Sequence, residues 1–564
     1  MEAATPMLRQ YLDIKKQYPG TILFFRLGDF YEMFNEDAIV GSRELDITLT
    51  ARQKDSPNPI PMCGVPHHAA ASYIAKLVKK GYRVAVCEQA EAPGKGVKLV
   101  KREVVRVITP GTAIDPQLVE SRDSVYLASV FATGDTAGAA FLETSSGHFF
   151  ATEFTGGEAW LKLSEELESY APREVLYPNS LERVVTQQFG VPAAGGLFDA
   201  AAAPATRSAA WTVLEDEKFD LDNSSRLLKQ QMQVANLAGF GLEGHDAAIS
   251  AAGACLSYAQ DTQRALAGHI TEIKYIETAD HMVLDGITLR NLEIFESRGE
   301  RSKNTLFGLI DETVTGMGSR LLRQWLLRPS LKRSEIQTRL AAVSELTDTI
   351  LREQLRFLLK DVSDLERLIG RLNLGSAGPR DIVALNRSIK QAPKVNSTLA
   401  DAKSLLLQVL AENTFELPEV RDLIDTAVVD EPPVNLVDGG VIRTGYNTEL
   451  DELRGISTSA KQTIASFEEQ ERTRTGIASL KVRFNNVFGY YIEVSKTNLS
   501  RTPDDYERRQ TLANAERFTT PQLKEWEQKV LGADERIVQL EGELFRGVVE
   551  KVCEETRKLQ ITAR

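Results

Sequence analysis

Two helical runs near the C-terminal end constrain the fold of this 564-residue chain more than any other feature. In Asn447–Arg474 the residues Leu450, Leu453, Ile456, Ala460, Ile464 and Phe467 step by three or four, which makes one narrow apolar seam. Pro521–Ile561 repeats the pattern with Leu523, Trp526, Val530, Ile537, Leu540, Leu544, Val548 and Val552. A seam must be covered, and the partner of matching length is the other run, so the pattern predicts an antiparallel pair of arms. At about 1.5 Å per residue each arm reaches roughly 40 Å. The insert between them, Leu480–Phe518, is strand-like: Leu480, Val482 and Phe484 alternate with Lys481, Arg483 and Asn485, and Tyr490, Ile492 and Val494 continue the period. One face of the insert packs and the other presents charge, extended by Lys496, Arg501, Arg508 and Arg509.

The rest of the chain divides by pattern. Residues 1–118 read as mixed α/β, with strands at Thr21–Phe25, Arg83–Cys87 and Glu103–Ile108 and helices at Pro6–Gln17 and Ala70–Lys80. Loops are marked by Ser56–Pro59 and Ala92–Gly96. A second α/β unit follows, in which Val125–Phe131, Ala137–Thr144 and His148–Phe154 predict an antiparallel meander before a helix at Glu158–Tyr170. The Ala/Gly-rich stretch 192–204 is too simple to be core. From about Gly239 helices dominate: Met317–Leu327, Arg333–Leu359, Asp364–Asn373, Pro379–Lys390 and Asp401–Leu410.

Charge and composition bound the chemistry. No run of about eighteen apolar residues and no signal pattern occurs, which predicts a cytoplasmic protein without a membrane partner. Four scattered cysteines fit a reducing compartment. Cys63, His67, His68 and Cys87 form only a weak zinc pattern, and no metal is expected. No G-x-x-x-x-G-K-[ST] string is present, and no compact carboxylate or histidine constellation marks a catalytic site. The net charge of −12 argues against a polyanion partner, but its distribution does not. From Lys76 to Arg106 there are nine Lys or Arg against three Glu, and Glu471–Arg509 carries eight against five acids. Two positive islands suit a grip on a phosphate backbone at two places, though a solvated face fits either island taken singly.

The triplet Phe30-Tyr31-Glu32 follows a strand and a Gly28-Asp29 break, so it opens a new element with acids crowding its first residues, a strand-to-helix junction. By residue type alone it reads as core packing, yet an aromatic and a carboxylate two residues apart can also project together into a partner.

Several strings resemble one family. GDFYEMF (28–34), PMCGVPHHA (61–69), CEQ (87–89) and VVRVITPGT (104–112) are similar to the mismatch-binding domain of the MutS family of DNA mismatch-repair proteins. LDGITLRNLEIF (284–295) and TLFGLIDETVTGMGSRLLRQWLLRPS (305–330) resemble its core, and LKVRFNNVFGYYIEVSK (480–496) and RRQTLANAERFTTPQLKEWE (508–527) its clamp and returning lever helix.

The resemblance implies a multidomain α/β and α fold. A mismatch-binding domain (1–118) and an RNase H-like α/β connector (119–240) are followed by core and lever helices (241–440), an inserted β-rich clamp (441–515) and the returning lever helix (516–564). It implies that Phe30 wedges into the minor groove beside a mispaired base, that Glu32 hydrogen-bonds to that base, and that Tyr31 packs. Backbone contacts are expected from Lys76, Lys95, Lys98, Lys101 and Arg106 near the lesion and from Lys481, Arg483, Lys496 and Arg501 at the clamp.

The partners implied are duplex DNA with mismatches or small loops, a second copy in the full-length homodimer, and a MutL-type protein, in a nucleoid-associated setting. The family carries ATP and Mg²⁺ in a C-terminal ATPase domain; the chain ends at Arg564 before such a motif, so no cofactor and no catalysis are expected within it. An unrecognised nuclease or NTPase, a coiled-coil scaffold and a non-specific DNA-binding fragment are the competing readings.

Overall fold

The computed structural model describes residues 5–52, 59–90, 100–190, 209–297, 304–485, 489–512 and 514–564. The first elements are α1 (Pro6–Gln17), β1 (Thr21–Leu27), β2 (Phe30–Phe34), α2 (Asn35–Leu45), β3 (Thr50–Arg52), β4 (Ile60–Pro66), α3 (Ala70–Lys79), β5 (Arg83–Gln89) and β6 (Arg102–Ile108). Their strands form one sheet in the order β3-β4-β2-β1-β5-β6, with β1 parallel to β5 and the other neighbours antiparallel. Alternation along the strands splits the core in two. Ile22, Phe24, Tyr31, Met33 and Val65 face α2 and α3, whereas Leu23, Phe25, Phe34 and Cys87 face α1. Buried Asp37 ties α1 down by accepting from the Tyr11 hydroxyl (2.8 Å), Lys15 Nζ (2.6 Å) and the Leu23 N–H (3.0 Å).

The junction expected at the triplet falls five residues later. Phe30–Phe34 is a strand hairpinned to β1 across Gly28, whose φ of +58° a residue with a Cβ rarely adopts. The helix begins at Asn35, where Glu36 and Asp37 occupy the positive N-terminal turn.

The second layer comprises β7 (Leu127–Thr133), β8 (Thr136–Glu143), β9 (His148–Thr155), α4 (Ala159–Tyr170), β10 (Glu174–Pro178), α5 (Glu182–Phe189), β11 (Ala210–Leu214), α6 (Leu221–Met232), α7 (Asp246–Gln263) and β12 (Lys274–Tyr275). The sheet order is β11-β10-β7-β8-β9-β12, and β7-β8-β9 is the antiparallel meander read from the sequence. α7 lies so close to β8 that a side chain at Gly138 would overlap the backbone of Ala247. The helical region read from Gly239 onward therefore opens with a helix of this sheet.

Helices follow: α8 (Gly286–Asn291), α9 (Leu306–Ile310), α10 (Gly316–Leu327), α11 (Arg333–Glu345), α12 (Thr349–Leu359), α13 (Leu365–Asn373), α14 (Pro379–Ile389), α15 (Ala392–Leu399) and α16 (Leu405–Glu412). The stretch read as one helix from Arg333 to Leu359 is two, because Asp348 caps a new start by accepting from the Ile350 N–H (2.8 Å).

The chain divides into two compact units: one comprises residues up to 376 with 387–416 and 555–564, the other 377–386 with 417–554. Inside the first unit a charged cluster joins α10 and α13 to the β8–β9 turn. Arg320, 1% exposed, donates to both oxygens of Asp364 (2.7 and 2.9 Å), to Glu366 (2.6 Å) and to the Ser121 carbonyl (2.6 Å). Glu366 lies 3.3 Å from His148 Nε2, and Arg367 reaches Glu143 at 3.3 Å. Burial would lower the His148 pKa, but the Glu366 charge and the bond to Glu143 outweigh it and raise it to about 9. For Glu366, burial is outweighed by the His148 and Arg320 charges, which hold it down at about 2.

The linkage follows from these directions. The His148 contribution is fully present below the unfolded value of about 6.5 and is lost as pH rises through about 9. The Glu366 contribution is present above the unfolded value of about 4.3 and is lost as pH falls through about 2. Urea midpoints recorded across pH 6–10 should fall on the alkaline side, and His148→Gln should remove that fall; an unchanged alkaline limb in the variant would refute the assignment.

The second unit contains α17 (Pro418–Ala427), α18 (Thr448–Thr475), β13 (Lys481–Asn485), β14 (Gly489–Ser495), β15 (Glu507–Thr511), β16 (Ala515–Thr519) and α19 (Pro521–Glu554). The returning helix read through to Ile561 ends at Glu554, and the last turns form a separate α20 (Thr556–Ala563) belonging to the first unit. α18 and α19 pair antiparallel, with Phe467 against Trp526 (5.2 Å between rings) near one end and Arg454 bonded to Glu541 near the other. The seam differs in one place from its reading. Ile456 is exposed and Ser457 takes the buried position, giving Leu450, Ser457, Ile464 and Glu471 at intervals of seven. Ser457 is satisfied by donating to Asp534 (2.6 Å), and Glu471 by accepting from the Tyr506 hydroxyl (2.8 Å).

Candidate nucleic-acid interface

The exposed end of the first sheet is the β1–β2 hairpin. Along β2 exposure alternates with the strand period: Phe30 is 48% exposed, Tyr31 4%, and the Glu32 side chain 22%. Phe30 and Glu32 share the α1 face, but the cluster under α1 takes in Leu23, Phe25 and Phe34 and leaves out Phe30. An aromatic ring stands out from a strand whose other hydrophobic residues are all buried.

Glu32 sits between Phe25 of β1 and Gly64 of β4. A Cβ at Gly64 would come within 3.2 Å of the Tyr31 carbonyl and 3.5 Å of the Glu32 side chain, so glycine makes the seat. Among the described residues the one charged neighbour is Arg52, whose Nη1 lies 3.5 Å from Glu32 Oε2. That oxygen is shielded from solvent and accepts no hydrogen bond among the described residues. Burial raises the Glu32 pKa, against a smaller downward pull from Arg52. Tyr31 points the other way: its hydroxyl donates to Glu88, and its ring lies 5.5 Å from that of His67 with the Arg26 guanidinium 5.6 Å above it. Cys63 faces α2 and Cys87 faces α1, so the two sulfurs of the weak zinc pattern lie on opposite sides of the sheet.

The basic residues of the first island separate. Lys76 is exposed on α3, its ammonium 5.4 Å from the Tyr73 ring centre, and Arg106 is half-buried opposite Val86; both belong to the face of the sheet opposite Phe30. Lys101 is exposed and pairs with Glu103 (2.6 Å). Lys95 and Lys98 lie outside the described residues. Arg102, counted in the island, is structural: it is buried over the Phe25 ring and donates to the Arg26 carbonyl (2.7 Å), the Val100 carbonyl (2.9 Å) and Gln10 (3.1 Å).

In the second unit the strands are ordered β13-β14-β16-β15. Val482, Ile492, Val494 and Phe518 pack with Ile464, Phe467, Leu523 and Val530 of the two long helices. The other face carries Lys481 and Arg483 in register with Glu493 and Tyr491, and Arg517 stacks 4.3 Å from the Tyr491 ring centre. Among the described residues neither Lys481 nor Arg483 has an ion-pair partner within 4 Å. Lys496 and Arg501 bound a short 3₁₀ turn, where Arg501 donates to the Gly476 carbonyl (3.3 Å).

Two expectations are corrected. Phe484, read as packed, is 46% exposed and rests on Tyr490 (5.0 Å) rather than in the cluster under the strands. Arg508 does not extend the positive face: it stands opposite Phe518 of the packed side, before the bulge, and pairs with Glu516 (2.8 Å). Exchanging both Lys481 and Arg483 for Gln should weaken binding to any duplex alike and flatten log K against log salt by about one to two units of slope. An unchanged slope would take them out of the interface.

Arg52 is the residue that sequence reasoning missed. Its partner lies twenty positions earlier, across β4, and nothing local in Thr50–Arg52 marks it.

Comparison with known proteins bears on this arrangement. Three family models match in chain order: MutS domain I over residues 5–117, MutS domain II over 125–271 and MutS domain III over 287–564. The DNA mismatch repair protein MutS of Solibacter usitatus is 48% identical over 100% of this chain and 63% of its own length. Those of Pelotomaculum thermopropionicum and Methanococcoides burtonii are 45% and 42% identical over 99% of the chain, covering 63% and 62% of theirs. The chain thus spans about 63% of the length of these relatives. With three domain models in order and such identity across essentially every residue, the chain belongs to the MutS family.

Proposed function

We propose that this chain recognises mispaired or unpaired bases in duplex DNA and holds the duplex while doing so. The observation that carries the reading is the pair on β2: Phe30 half-exposed on an otherwise buried strand, with half-buried Glu32 beside it on the same face. An aromatic wedge must cover the cost of unstacking a base step, and a mispaired step costs less to open and bend than a paired one. Discrimination then comes from deformability. Glu32 as a bare anion is repelled by phosphate, but as a neutral acid it donates to a base acceptor, and its raised pKa favours that form.

Residues 1–118 act as the mismatch-binding domain, with Lys76, Lys95, Lys98, Lys101 and Arg106 available to the backbone. The sheet of β7–β12 serves as an RNase H-like connector, the helices up to 440 as core and lever, and 441–515 as a clamp gripping phosphate through Lys481, Arg483, Lys496 and Arg501, with 516–564 returning. The family likeness alone adds an ATPase domain with ATP and Mg²⁺ beyond Arg564, a homodimer and a MutL-type partner.

The test is fluorescence anisotropy at fixed, stated salt with a labelled duplex carrying one G·T pair or one unpaired T, competed by the matched duplex. Tighter binding of the lesion is expected; equal affinities would overturn the reading.

A further inference from the structure

We propose that Arg52 positions Glu32: without DNA its guanidinium holds the carboxylate in its half-buried seat, and on binding it passes to a backbone phosphate, so that Glu32 meets the base as a neutral acid. This rests on the reading of Phe30 and Glu32 as the lesion contacts.

The seat offers the carboxylate little else. The residues paired with Glu32 on either side, Phe25 and Gly64, bring no charge, and Oε2 is shielded without a hydrogen bond. Among the described residues, the neighbouring titratable groups of this face are held elsewhere or neutral. Arg102 is spent on two carbonyls and Gln10, Lys15 and Asp37 pair with each other at the Thr21 end of β1, and burial pushes the Cys87 thiol up to about 12, which leaves it neutral. Glu88 and His67 lie with Tyr31 on the opposite face. Among the described residues Arg52 is therefore the charge set against the burial of Glu32. It holds the acid loosely, at 3.5 Å, from a side chain that is itself half-exposed.

A guanidinium makes a stronger, bidentate contact with a phosphate than with an offset carboxylate. Once Arg52 turns to the backbone, the charge opposing the burial of Glu32 is gone and a phosphate anion has approached. Both changes favour protonation. The proton comes from solvent, binds the carboxylate oxygen and is then shared with a base nitrogen or oxygen.

The experiment compares wild type, Arg52→Gln, Arg52→Lys, Glu32→Gln and the Arg52→Gln/Glu32→Gln pair on G·T and matched duplexes between pH 6 and pH 8.5. In wild type the mismatch-to-matched affinity ratio should fall with rising pH. The G·T affinity itself should begin to fall at the Glu32 pKa of the free protein, and Arg52→Gln should move that onset upward by about half to one pH unit; the ratio does not report this shift, since the free protein cancels from it. Binding of this variant to both duplexes should lose about one unit of salt slope. Arg52→Lys should keep the wild-type onset. Glu32→Gln should have a flat profile, and adding Arg52→Gln should lower affinity without restoring any pH dependence.

A wild-type onset of the fall in G·T affinity in Arg52→Gln, beside a flat profile in Glu32→Gln, overturns the role of Arg52 alone. A sloping profile in Glu32→Gln overturns the reading of Glu32 on which it rests. Without DNA, the ¹³C carboxyl titration of Glu-labelled protein, assigned by the resonance lost in Glu32→Gln, should show a higher midpoint in Arg52→Gln; an unmoved midpoint also overturns the proposal.

Discussion

Phe30→Ala is expected to bring the mismatch-to-matched affinity ratio close to one while leaving the fold intact. Stacking of an aromatic on a base is worth about 1–3 kcal/mol by alanine substitution, which is roughly a 5- to 150-fold loss of lesion affinity. Matched duplex should change far less, since it is held chiefly through phosphate. The stability of the chain without DNA should hold within about 0.5 kcal/mol, because the ring is half in solvent and outside the cluster under α1. That combination separates the wedge from a core residue. Tyr31→Phe supplies the contrast: it removes the hydroxyl bonded to Glu88, so its cost should appear in stability rather than in discrimination. A Phe30→Ala chain that still prefers G·T would end the wedge hypothesis.

The second large effect concerns stability. Arg320→Met is expected to destabilise the first unit by about 3 kcal/mol, because it removes the buried cation shared by half-buried Asp364 and buried Glu366 and leaves Glu366 to His148 alone. Adding Glu366→Gln should restore part of the loss, since an amide needs no counter-charge. Urea unfolding of the single and double variants measures both values. A single variant within about 1 kcal/mol of wild type would mean that water reaches the cluster and that the ion pairs contribute little.

What could be read from the sequence was what local period records. The long arms, the meander and the alternation in Leu480–Asn485 are carried by residues two to seven positions apart, so the pattern alone shows them. The Phe30 strand was harder, because Glu36 and Asp37 lend the whole segment a helix-start composition although they occupy the turn after it. Ile456 and Ser457 traded places because a seam is set by the heptad interval from Leu450 to Glu471, not by which neighbour is the more apolar. The Arg52–Glu32 pair, the burial of Arg102 and the Arg320 cluster lay beyond such reading. Their partners sit 20 to some 200 positions away, and a charged side chain carries no local mark of being buried. Phe30 and Glu32 themselves were legible only through the family likeness, since the same triplet is ordinary core by composition.

The polar groups within the α18–α19 seam limit how the arms can deform. Glu541 is wholly buried, held by Arg454 and by the Val441 N–H (2.9 Å), and Ser457 meets Asp534 midway. Sliding one helix along the other by a turn, about 5.4 Å, would leave buried Glu541 and Ser457 without these partners. The two helices are keyed like a splined shaft. Load applied to the β13–β16 sheet is passed down the arms as bending or torsion of a single beam, with shear between the helices locked out.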